Sequence, residues 1–529
     1  MNGIETVRRT SAAFIAKRSG VTALLMGALS ATGFAPLGLW PITLAMLALL
    51  MQLIWQAPDR KAAGKIGYAF GLGHFTIGLN WIAHAFTFQD SMPHWLGYPA
   101  VALLSLFLAL YPAVAAIIGW TLGRGRPQFF ALFFACAWLL TEYLRASLLT
   151  GFAWNPLGVI WLGTGVEQVA AVIGTYGLGL VAMLAAGALW WLAHRQWRQA
   201  GLLLGGLALV AALGLLRASY IGGNDQSGAV ANIHVVQPNI NQNEKYDPAL
   251  EELNFQRLAE LSLRRSGKPA LIFWPEAAVP AVLDMEPRWR GRIASLLGMD
   301  DLLLLGGDKY HFREKDGVVD ARALEGANNS LWVLDARGEL LGRYDKAHLV
   351  PFGEYLPMRS VLEAIGLSRL VPGSVDFWPG PGPRTLDLPA TTDEAGSRGS
   401  LRMAVQICYE IVFSGQVVDR ANRPDFLFNP SNDAWFGNWG PPQHLAQARL
   451  RAIEEGLPII RSTPTGISAL VNPAGQVVEH IPLHEAGAFE APLPPPLMPT
   501  LFARAGNLIP LGLAVLLLSS GVAIARRSR

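Results

Sequence analysis

The sequence predicts two structural classes in one chain: an α-helical membrane bundle of eight spans and an α/β domain whose helices cover a central sheet. Of the 529 residues, 52% are hydrophobic and only 15% are charged, whereas soluble domains carry roughly 25% charge. Apolar runs long enough to cross a hydrocarbon core of about 30 Å recur before residue 218 and once near residue 515. Between them, short β-rich runs alternate with amphipathic helical runs, which is typical of an α/β domain.

The apolar runs and the charges between them define the membrane topology. The predicted spans lie near residues 21–38, 41–56, 66–86, 99–122, 128–145, 169–193, 201–217 and 507–525. If the N-terminus is cytoplasmic, almost all Lys and Arg residues of the short loops fall on the cytoplasmic side, as the positive-inside rule requires. A cleaved signal sequence is the alternative for the first run, but Trp40 and a second apolar run follow directly, as in a membrane hairpin.

This topology predicts three regions. Residues 1–218 form a membrane domain of seven helices, and residues 496–529 form a linker with the eighth. Seven spans place residues 219–495 on the opposite side from the N-terminus, which is the periplasm of a bacterial cell. Within that region "ANIHVVQPN", "KPALIFWPE", "DLLLLGGDK" and "LRMAVQICYE" read as strands, and "NSLWVLDARGELLGRYDK" reads as a hairpin that turns at residues 335–338.

Several function classes find no support. The net charge of +3 is small and no basic cluster is interleaved with aromatic residues, so no nucleic-acid partner is expected. His348 and His444 lack metal-ligand spacing, which favours structural roles. Cys136 lies in the apolar run "ALFFACAWLL" and is predicted to be a small buried hydrophobe. Glu142 and Arg145, near the outer end of a span, are either a functional pair or side chains that snorkel to the interface.

Reactive side chains follow three predicted strands. Glu276 ends "LIFWPE", Lys346 and Glu354 lie in "RYDKAHLVPFGEYLP", and Cys408 lies in "MAVQICYEIVF". Ligands of open α/β sheets bind at the carboxyl ends of strands. A thiolate that attacks a carbonyl, a lysine cation that lowers the thiol pKa and a carboxylate that moves protons together form the machinery of acyl transfer.

These motifs, in this order, resemble the Glu-Lys-Cys triad of the nitrilase (carbon–nitrogen hydrolase) superfamily. With eight spans around such a domain, the whole chain resembles the apolipoprotein N-acyltransferase family. The resemblance implies an α-β-β-α sandwich in the bacterial inner membrane, with the catalytic domain periplasmic and both termini cytoplasmic. It implies transfer of the sn-1 acyl chain of phosphatidylethanolamine, through a cysteine thioester, to the α-amine of diacylglyceryl-cysteine apolipoproteins. Phospholipid, these apolipoproteins and membrane lipid are the expected partners, and neither a metal nor another cofactor is expected.

The resemblance also implies roles for individual residues. Cys408 is the expected nucleophile, Glu276 the general base and later acid, Lys346 the oxyanion stabiliser and Glu354 the support for the lysine. The expected supporting or substrate-binding residues are Tyr409, Glu410, Tyr246 and Trp435. The backbone N–H of Tyr409 is a candidate second oxyanion donor, and Tyr246 stands where the family often has tryptophan.

Two questions remain open at this point: where one apolar stripe lies, and which class of function the chain has. An apolar stripe at helical spacing either dips into the outer leaflet or packs in a core; it consists of Met358, Val361, Leu362, Ile365 and Leu370. Two other functions compete with acyl transfer: a membrane-tethered amidase or nitrilase, and a transporter with a sensing domain. Eight spans exceed what a tether needs, and the spans carry hardly any of the ionisable residues that transport pathways use.

Overall fold

The computed structural model describes residues 19–88, 93–223, 229–264, 268–315, 318–364, 375–393 and 396–527. The chain divides into two compact units. The helical unit comprises Met1–Ala83, Trp95–Leu216 and Ala505–Arg529, and the sheet unit comprises His84–His94 and Arg217–Arg504.

The helical unit is built from long apolar helices. Their bounds are Ser19–Ser30, Trp40–Trp55, Arg60–Gly78, Gly97–Leu108, Leu110–Gly123, Pro127–Ser147, Ala170–Ala193, Trp197–Gly222 and Leu508–Arg527. Among the described residues, five helical segments are long and apolar enough to cross a membrane, namely His94–Gly123, Pro127–Ser147, Val166–Ala193, Trp197–Gly222 and Leu508–Arg526. Ser19–Gly33 and Trp40–Trp55 are apolar but shorter. A membrane-embedded bundle is therefore supported, and the count of eight spans stays a prediction.

Glycines let two of these helices touch through their backbones. A Cβ atom at Gly27 would lie 1.9 Å from the carbonyl oxygen of Phe70, and one at Gly73 would lie 2.0 Å from the carbonyl oxygen of Leu24. Any side chain at either position would push the helices apart. This close approach through small residues is the usual way in which helices associate in lipid, where apolar burial supplies little driving force.

The charged pair of the helical unit is paired rather than snorkelling. Arg145 is 3% exposed and lies 3.8 Å from Glu142. Its guanidinium donates hydrogen bonds of 2.6 and 3.2 Å to the side-chain and backbone oxygens of Asn155, while Glu142 accepts one of 2.8 Å from the N–H of Leu157. The pair thus fixes the irregular segment that follows the helix Pro127–Ser147.

The sheet unit contains two six-stranded mixed sheets. Its strands are β1 (Asn232–Gln237), β2 (Ala270–Phe273), β3 (Leu302–Lys315), β4 (Val318–Asp335), β5 (Leu340–Asp345), β6 (Thr385–Leu388), β7 (Thr391–Asp393), β8 (Gly396–Arg398), β9 (Leu401–Val405), β10 (Phe426–Pro430), β11 (Ile459–Ser462), β12 (Ser468–Val471), β13 (Val477–Ile481) and β14 (Gly487–Pro492). The first sheet has the order β14-β1-β2-β3-β4-β5, and the second has the order β13-β12-β11-β10-β9-β6. Strands β7 and β8 form a separate small hairpin.

The two sheets face each other, and helices cover their outer faces. Phe273 of β2 meets Phe428 of β10 with ring centroids 4.7 Å apart. The outer face of the first sheet is apolar, and the helices Glu251–Ser262 and Pro287–Ala294 pack on it around the fully buried Trp274. The helix Gly440–Glu455 packs against the second sheet. This order of layers is the α-β-β-α sandwich expected from the resemblance.

The hairpin expected at residues 335–338 is confirmed. Strands β4 and β5 pair antiparallel, and the N–H of Gly338 donates a 3.0 Å hydrogen bond to the carbonyl of Asp335. Gly338 has φ +78°, a conformation that glycine adopts without steric cost. The turn directs β5 back along the sheet, so that its carboxyl end carries Lys346 toward the ends of β2 and β9.

Candidate active site

Cys408 lies three residues beyond strand β9, at the start of the 3₁₀ turn Cys408–Val412. Its φ of +51° is in the left-handed region, which residues other than glycine rarely adopt. The residue is 5% exposed. The backbone N–H of Asn432 donates a hydrogen bond to the sulfur. The carbonyl of Cys408 accepts from the side chains of His444 and Asn429, at 3.0 and 3.3 Å. The nucleophile candidate is therefore held on both its sulfur and its backbone sides.

The predicted lysine and both predicted glutamates meet in one buried group. Lys346 directly follows β5 and is 1% exposed. Its Nζ lies 2.9 Å from Oε1 of Glu354 and 3.9 Å from Oε1 of Glu276. Both Glu276 and Lys346 also interact electrostatically with the Cys408 thiol. The structure thus brings together the three residues of the predicted triad and the supporting glutamate.

A residue that sequence reasoning missed, Asn329 on β4, connects the two glutamates. Its Nδ2 donates hydrogen bonds of 2.6 Å to Oε1 of Glu276 and 3.0 Å to Oε1 of Glu354. Its backbone carbonyl accepts a 2.8 Å bond from the N–H of Lys346. Glu276, Asn329, Lys346 and Glu354 are called the acid–lysine cluster below. The signal in the sequence was a buried asparagine on a strand, in "GANNSLWVLD", where an apolar residue is expected.

Burial and the charges of this cluster together raise the pKa of both Lys346 and Cys408. Burial alone lowers the pKa of Lys346, but the carboxylates of Glu354 and Glu276 outweigh it and hold the pKa above its ordinary value. The pKa of Cys408 is raised well above its ordinary value by burial and by the Glu276 carboxylate, although Lys346 opposes the shift. The lysine cation thus lowers the thiol pKa as expected, but burial and the Glu276 carboxylate outweigh its effect. A neutral thiol beside an ammonium and a carboxylate needs a base before it can attack.

Behind Cys408 lies a second buried polar group, called the support cluster and formed by Asp433, His444, Arg461 and Asn429. Arg461 donates to both carboxylate oxygens of Asp433 at 2.5 Å and to Oδ1 of Asn429 at 2.5 Å. Burial raises the pKa of Asp433, but Arg461 and His444 bring it below its ordinary value. Burial and Arg461 lower the pKa of His444, although its contacts with Asp433 and with the Cys408 carbonyl oppose the shift. Its Nδ1 lies 3.0 Å from Oδ1 of Asp433, and its Nε2 lies 3.0 Å from that carbonyl. This cluster fixes the backbone of the nucleophile.

Glu410 joins the loop of the nucleophile to the loop of the lysine. Its Oε1 accepts from the backbone N–H groups of Ala347 and His348 at 2.8 and 3.1 Å, and its Oε2 accepts from that of Ile407 at 2.7 Å. The Tyr344 hydroxyl donates to the same carboxylate at 3.0 Å. Burial raises the pKa of Glu410 to about 7, although the backbone donors oppose the shift. Its place is structural support within the site.

The other three predicted site residues lie at different depths. Tyr409 is 6% exposed and packs on Phe413, with ring centroids 5.2 Å apart. Trp435 is partly buried and meets Phe88 edge to face at 5.4 Å. Tyr246 is 58% exposed, next to Lys245, whose Nζ donates a 3.0 Å hydrogen bond to the backbone carbonyl of Glu276. Tyr246 is thus at the surface of the site, whereas Tyr409 supports its interior.

The apolar stripe is only partly described. Met358 is 71% exposed with φ +47°, and nearby Phe352 is 47% exposed with φ +63°. Ile365 and Leu370 lie outside the described residues, as do the side chains of Val361 and Leu362. At Met358 the side chain is therefore not part of a core. Among the described residues, no group of three or more His, Cys, Asp or Glu side chains could hold a metal ion.

Comparison with known proteins identifies the family. The model of the apolipoprotein N-acyltransferase N-terminal domain matches residues 26–188, and the carbon-nitrogen hydrolase model matches residues 233–497. An apolipoprotein N-acyltransferase from Rhodopseudomonas palustris is 34% identical over 520 residues, covering 93% of this chain and 92% of its own. The chain belongs to the apolipoprotein N-acyltransferase family. It is therefore an acyltransferase, and the resemblance drawn from the Glu-Lys-Cys motifs is confirmed.

A further sequence match agrees with this membership. A second relative of the same name, from Bradyrhizobium diazoefficiens, is 34% identical over 549 residues and covers 98% of both chains. Among solved structures, an amidase from Nesterenkonia sp. covers 50% of this chain and 91% of its own, with 17% identity and a TM-score of 0.32. In this chain, one family model matches the N-terminal helices and the other matches the two sheets.

Proposed function

We propose that this acyltransferase moves the sn-1 acyl chain of a phospholipid, chiefly phosphatidylethanolamine, to the N-terminal α-amine of diacylglyceryl-cysteine apolipoproteins. The chain passes through a thioester on Cys408. The observation that carries the proposal is the burial of Cys408, Lys346 and Glu276 in one interacting group, with Oε2 of Glu276 lacking a hydrogen-bond partner among the described residues. A buried carboxylate oxygen left open beside a neutral thiol is suited to take its proton.

In the first half-reaction, Glu276 removes the proton of the Cys408 thiol as the sulfur attacks the ester carbonyl. The S–C bond forms, and negative charge develops on the former carbonyl oxygen. Lys346, whose ammonium is fixed by Glu354, stabilises that charge together with a backbone N–H, for which Tyr409 is the candidate. The ester C–O bond then breaks, and Glu276 returns its proton to the oxygen of the departing lysophospholipid.

In the second half-reaction, the thioester retains the reactivity of the ester, so that a neutral amine can take the acyl group and form a more stable amide. Water must be excluded meanwhile, because hydrolysis would waste the intermediate. We propose that the exposed apolar residues around Met358 and Phe352 enter the lipid and help to exclude water. The phospholipid ester is already an activated acyl donor, so neither step needs a metal or a nucleotide.

We also propose the membrane topology that the charges between the spans indicate. Eight spans would hold the enzyme in the bacterial inner membrane, with both termini cytoplasmic and the catalytic domain in the periplasm. Residues 1–218 would form the membrane domain, 219–495 the catalytic domain and 496–529 the linker and last span. The long apolar helices and the bacterial origin of the relatives support this arrangement.

An intact-mass measurement tests the function. Purified full-length protein is incubated with phosphatidylethanolamine and weighed, and the expected result is an increase by the mass of one acyl chain. Hydroxylamine, which cleaves thioesters, should remove the adduct, and Cys408→Ala should never acquire it. Addition of a diacylglyceryl-cysteine peptide should discharge the adduct and yield the N-acyl peptide. Turnover of a simple amide without any adduct from lipid would instead indicate a membrane-tethered amidase and contradict the proposal.

A further inference from the structure

Among the residues around Cys408, three have a buried side-chain acceptor without a partner in the described part of the chain: Oε2 of Glu276, Oδ1 of Asn329 and Oδ1 of Asn432. Of these residues, Asn432 is the one whose backbone lies next to the nucleophile. The residue is 6% exposed, and its backbone N–H already donates to the sulfur of Cys408. Its side chain cannot turn freely, because its Nδ2 donates a 2.7 Å hydrogen bond to Oε1 of Gln242. Leaving a buried acceptor without a hydrogen bond destabilises the protein, and a donor that enters the site removes this cost.

Neighbouring residues fix this acceptor in place. The next residue, Asp433, is bound through both carboxylate oxygens by Arg461. On the other side, the segment that contains Gln242 also contains Lys245, whose Nζ donates to the backbone carbonyl of Glu276. One segment therefore connects the residue with the open amide oxygen to the residue with the open carboxylate oxygen, and both residues interact with Cys408.

An attacking primary amine presents two N–H groups with different fates. The nitrogen forms the new C–N bond, the S–C bond breaks, and its electron pair returns to the sulfur of Cys408. One amine proton goes to Glu276 and from there to the sulfur, while the other N–H stays on nitrogen in the amide product. The first N–H needs a basic acceptor, whereas the second needs a neutral acceptor that does not remove its proton. A carboxylate and a carboxamide oxygen meet these two needs.

We propose that the Asn432 carboxamide oxygen is the binding site for the retained N–H of the acceptor's primary amine, and that it makes the second half-reaction selective for primary amines. This inference rests on the proposed function, because it assumes a thioester on Cys408. The ligand class is an unsubstituted α-amine at the N-terminus of a lipidated peptide. Asn432 would then contribute little to loading of the enzyme by phospholipid and much to its discharge.

A single-turnover experiment tests the selectivity. The full-length enzyme is loaded with phosphatidylethanolamine, and loss of the adduct is followed by intact mass after addition of a diacylglyceryl-cysteine peptide or its N-methyl derivative, which has one N–H fewer. We expect the wild type to prefer the primary amine by about 10-fold or more, the value of one hydrogen bond. In Asn432→Ala, discharge by the primary amine should slow roughly 10–100-fold and discharge by the N-methyl amine less than about threefold, so that the preference disappears.

Two further variants complete the test. Asn438, an exposed asparagine of the same loop that accepts from His484 at 2.9 Å, provides the control, and Asn438→Ala should retain the wild-type preference. Gln242→Ala leaves Asn432 in place but frees its side chain, and should reduce the preference to an intermediate value. The inference is overturned if Asn432→Ala slows both amines equally or neither. If Asn432→Ala cannot be loaded, an unchanged preference in Gln242→Ala overturns it.

The two failures are distinguishable. A wild-type protein that never acquires an acyl adduct contradicts the proposed function itself. A wild-type protein that loads and discharges normally, but treats primary and N-methyl amines alike, contradicts only the role of Asn432.

Discussion

The acid–lysine cluster and the support cluster are both buried beside Cys408, yet they use their polar atoms differently. In the support cluster, both carboxylate oxygens of Asp433 accept hydrogen bonds, and Arg461 donates to three side chains and one backbone carbonyl. In the acid–lysine cluster, Oε2 of Glu276 and Oδ1 of Asn329 have no partner among the described residues.

The difference separates structural support from reactivity. Buried polar groups that are fully paired rigidify a fold, and those left open are costly unless something else binds them. The support cluster therefore stabilises the backbone at Cys408 in its left-handed conformation. The acid–lysine cluster retains capacity for a proton or a substrate atom. Substitutions in the first should mainly lower stability, and substitutions in the second should lower activity by more than their loss of stability explains.

The largest effect is expected from Lys346→Met in the acid–lysine cluster. Loss of the ammonium that stabilises the developing oxyanion should slow formation of the acyl adduct by roughly 10³-fold or more. Lys309→Met, which removes a partly exposed ion pair with Asp284, is the matched control and should load within about twofold of wild type. Single-turnover intact mass measures both. Wild-type loading by Lys346→Met, with the protein still in the membrane, would remove the lysine from the mechanism.

The support cluster should respond with unfolding rather than with a specific kinetic defect. Arg461→Met leaves the carboxylate of Asp433 buried and unpaired, which should reduce the free energy of unfolding by about 3–5 kcal/mol. Arg402→Met, which breaks a partly exposed pair with Asp425, should cost under about 1 kcal/mol. Denaturant unfolding of the two variants in the same detergent compares them. Equal losses would mean that the support cluster carries no special structural role.

Asn329 and its neighbour Asn328 offer a sharper comparison, because adjacent residues of a strand face opposite sides of the sheet. Asn328 donates to the carbonyl of Trp378 at 2.7 Å and accepts from His311, away from the glutamates. Asn329→Ala should slow loading roughly 10–100-fold at saturating lipid, with little change in the half-saturating lipid concentration, because the glutamates lose their shared donor.

Asn328→Ala should cost a similar amount of stability, about 1–3 kcal/mol, and leave loading within about threefold of wild type. Melting temperatures and single-turnover rates are measured for both alanine variants. If both variants load equally slowly, Asn329 acts only through the fold.

The smallest effect concerns pH and Glu410, which connects the two loops. The raised pKa means that the folded chain keeps this proton up to about pH 7, whereas the unfolded chain releases it near the ordinary value of 4.5. The folded form therefore binds more protons between these values, and the contribution of Glu410 to stability falls as pH rises through this window. Glu410→Gln should flatten the decrease in melting temperature between pH 5 and pH 8. An unchanged slope would assign the pH dependence to other groups.

Much of the architecture could be predicted because it depends on short-range patterns. Hydropathy identified the long helices. The pattern of apolar residues identified the strands that lead to Cys408 and Lys346. The count of spans is harder, because Ser19–Ser30 and Trp40–Trp55 are shorter than a bilayer needs and Arg60–Gly78 begins with charged residues. Length and hydropathy alone do not decide whether such helices cross.

The site residues that lie in recognisable motifs were predicted. The residue whose role depends on contacts between distant parts of the chain was missed. Glu276, Lys346 and Cys408 follow strands, and that placement is visible in the sequence. The contacts of Asn329 are not visible in the sequence. They depend on the register of β4 against β3 and β5, and on the path of the loop that carries Glu354. The rise in the pKa of Cys408 was missed for the same reason, because it depends on burial more than on the neighbouring lysine.

The left-handed backbone at Cys408 has a consequence for the evolution of this protein. A residue with a Cβ atom at φ +51° costs about 1–2 kcal/mol relative to glycine. Selection for thermal robustness alone would therefore favour a glycine at position 408, which would relieve the conformation and abolish the thiol at once. Laboratory stabilisation of this enzyme should accordingly be sought away from that turn, and variants that gain heat resistance there should be suspected of lost chemistry.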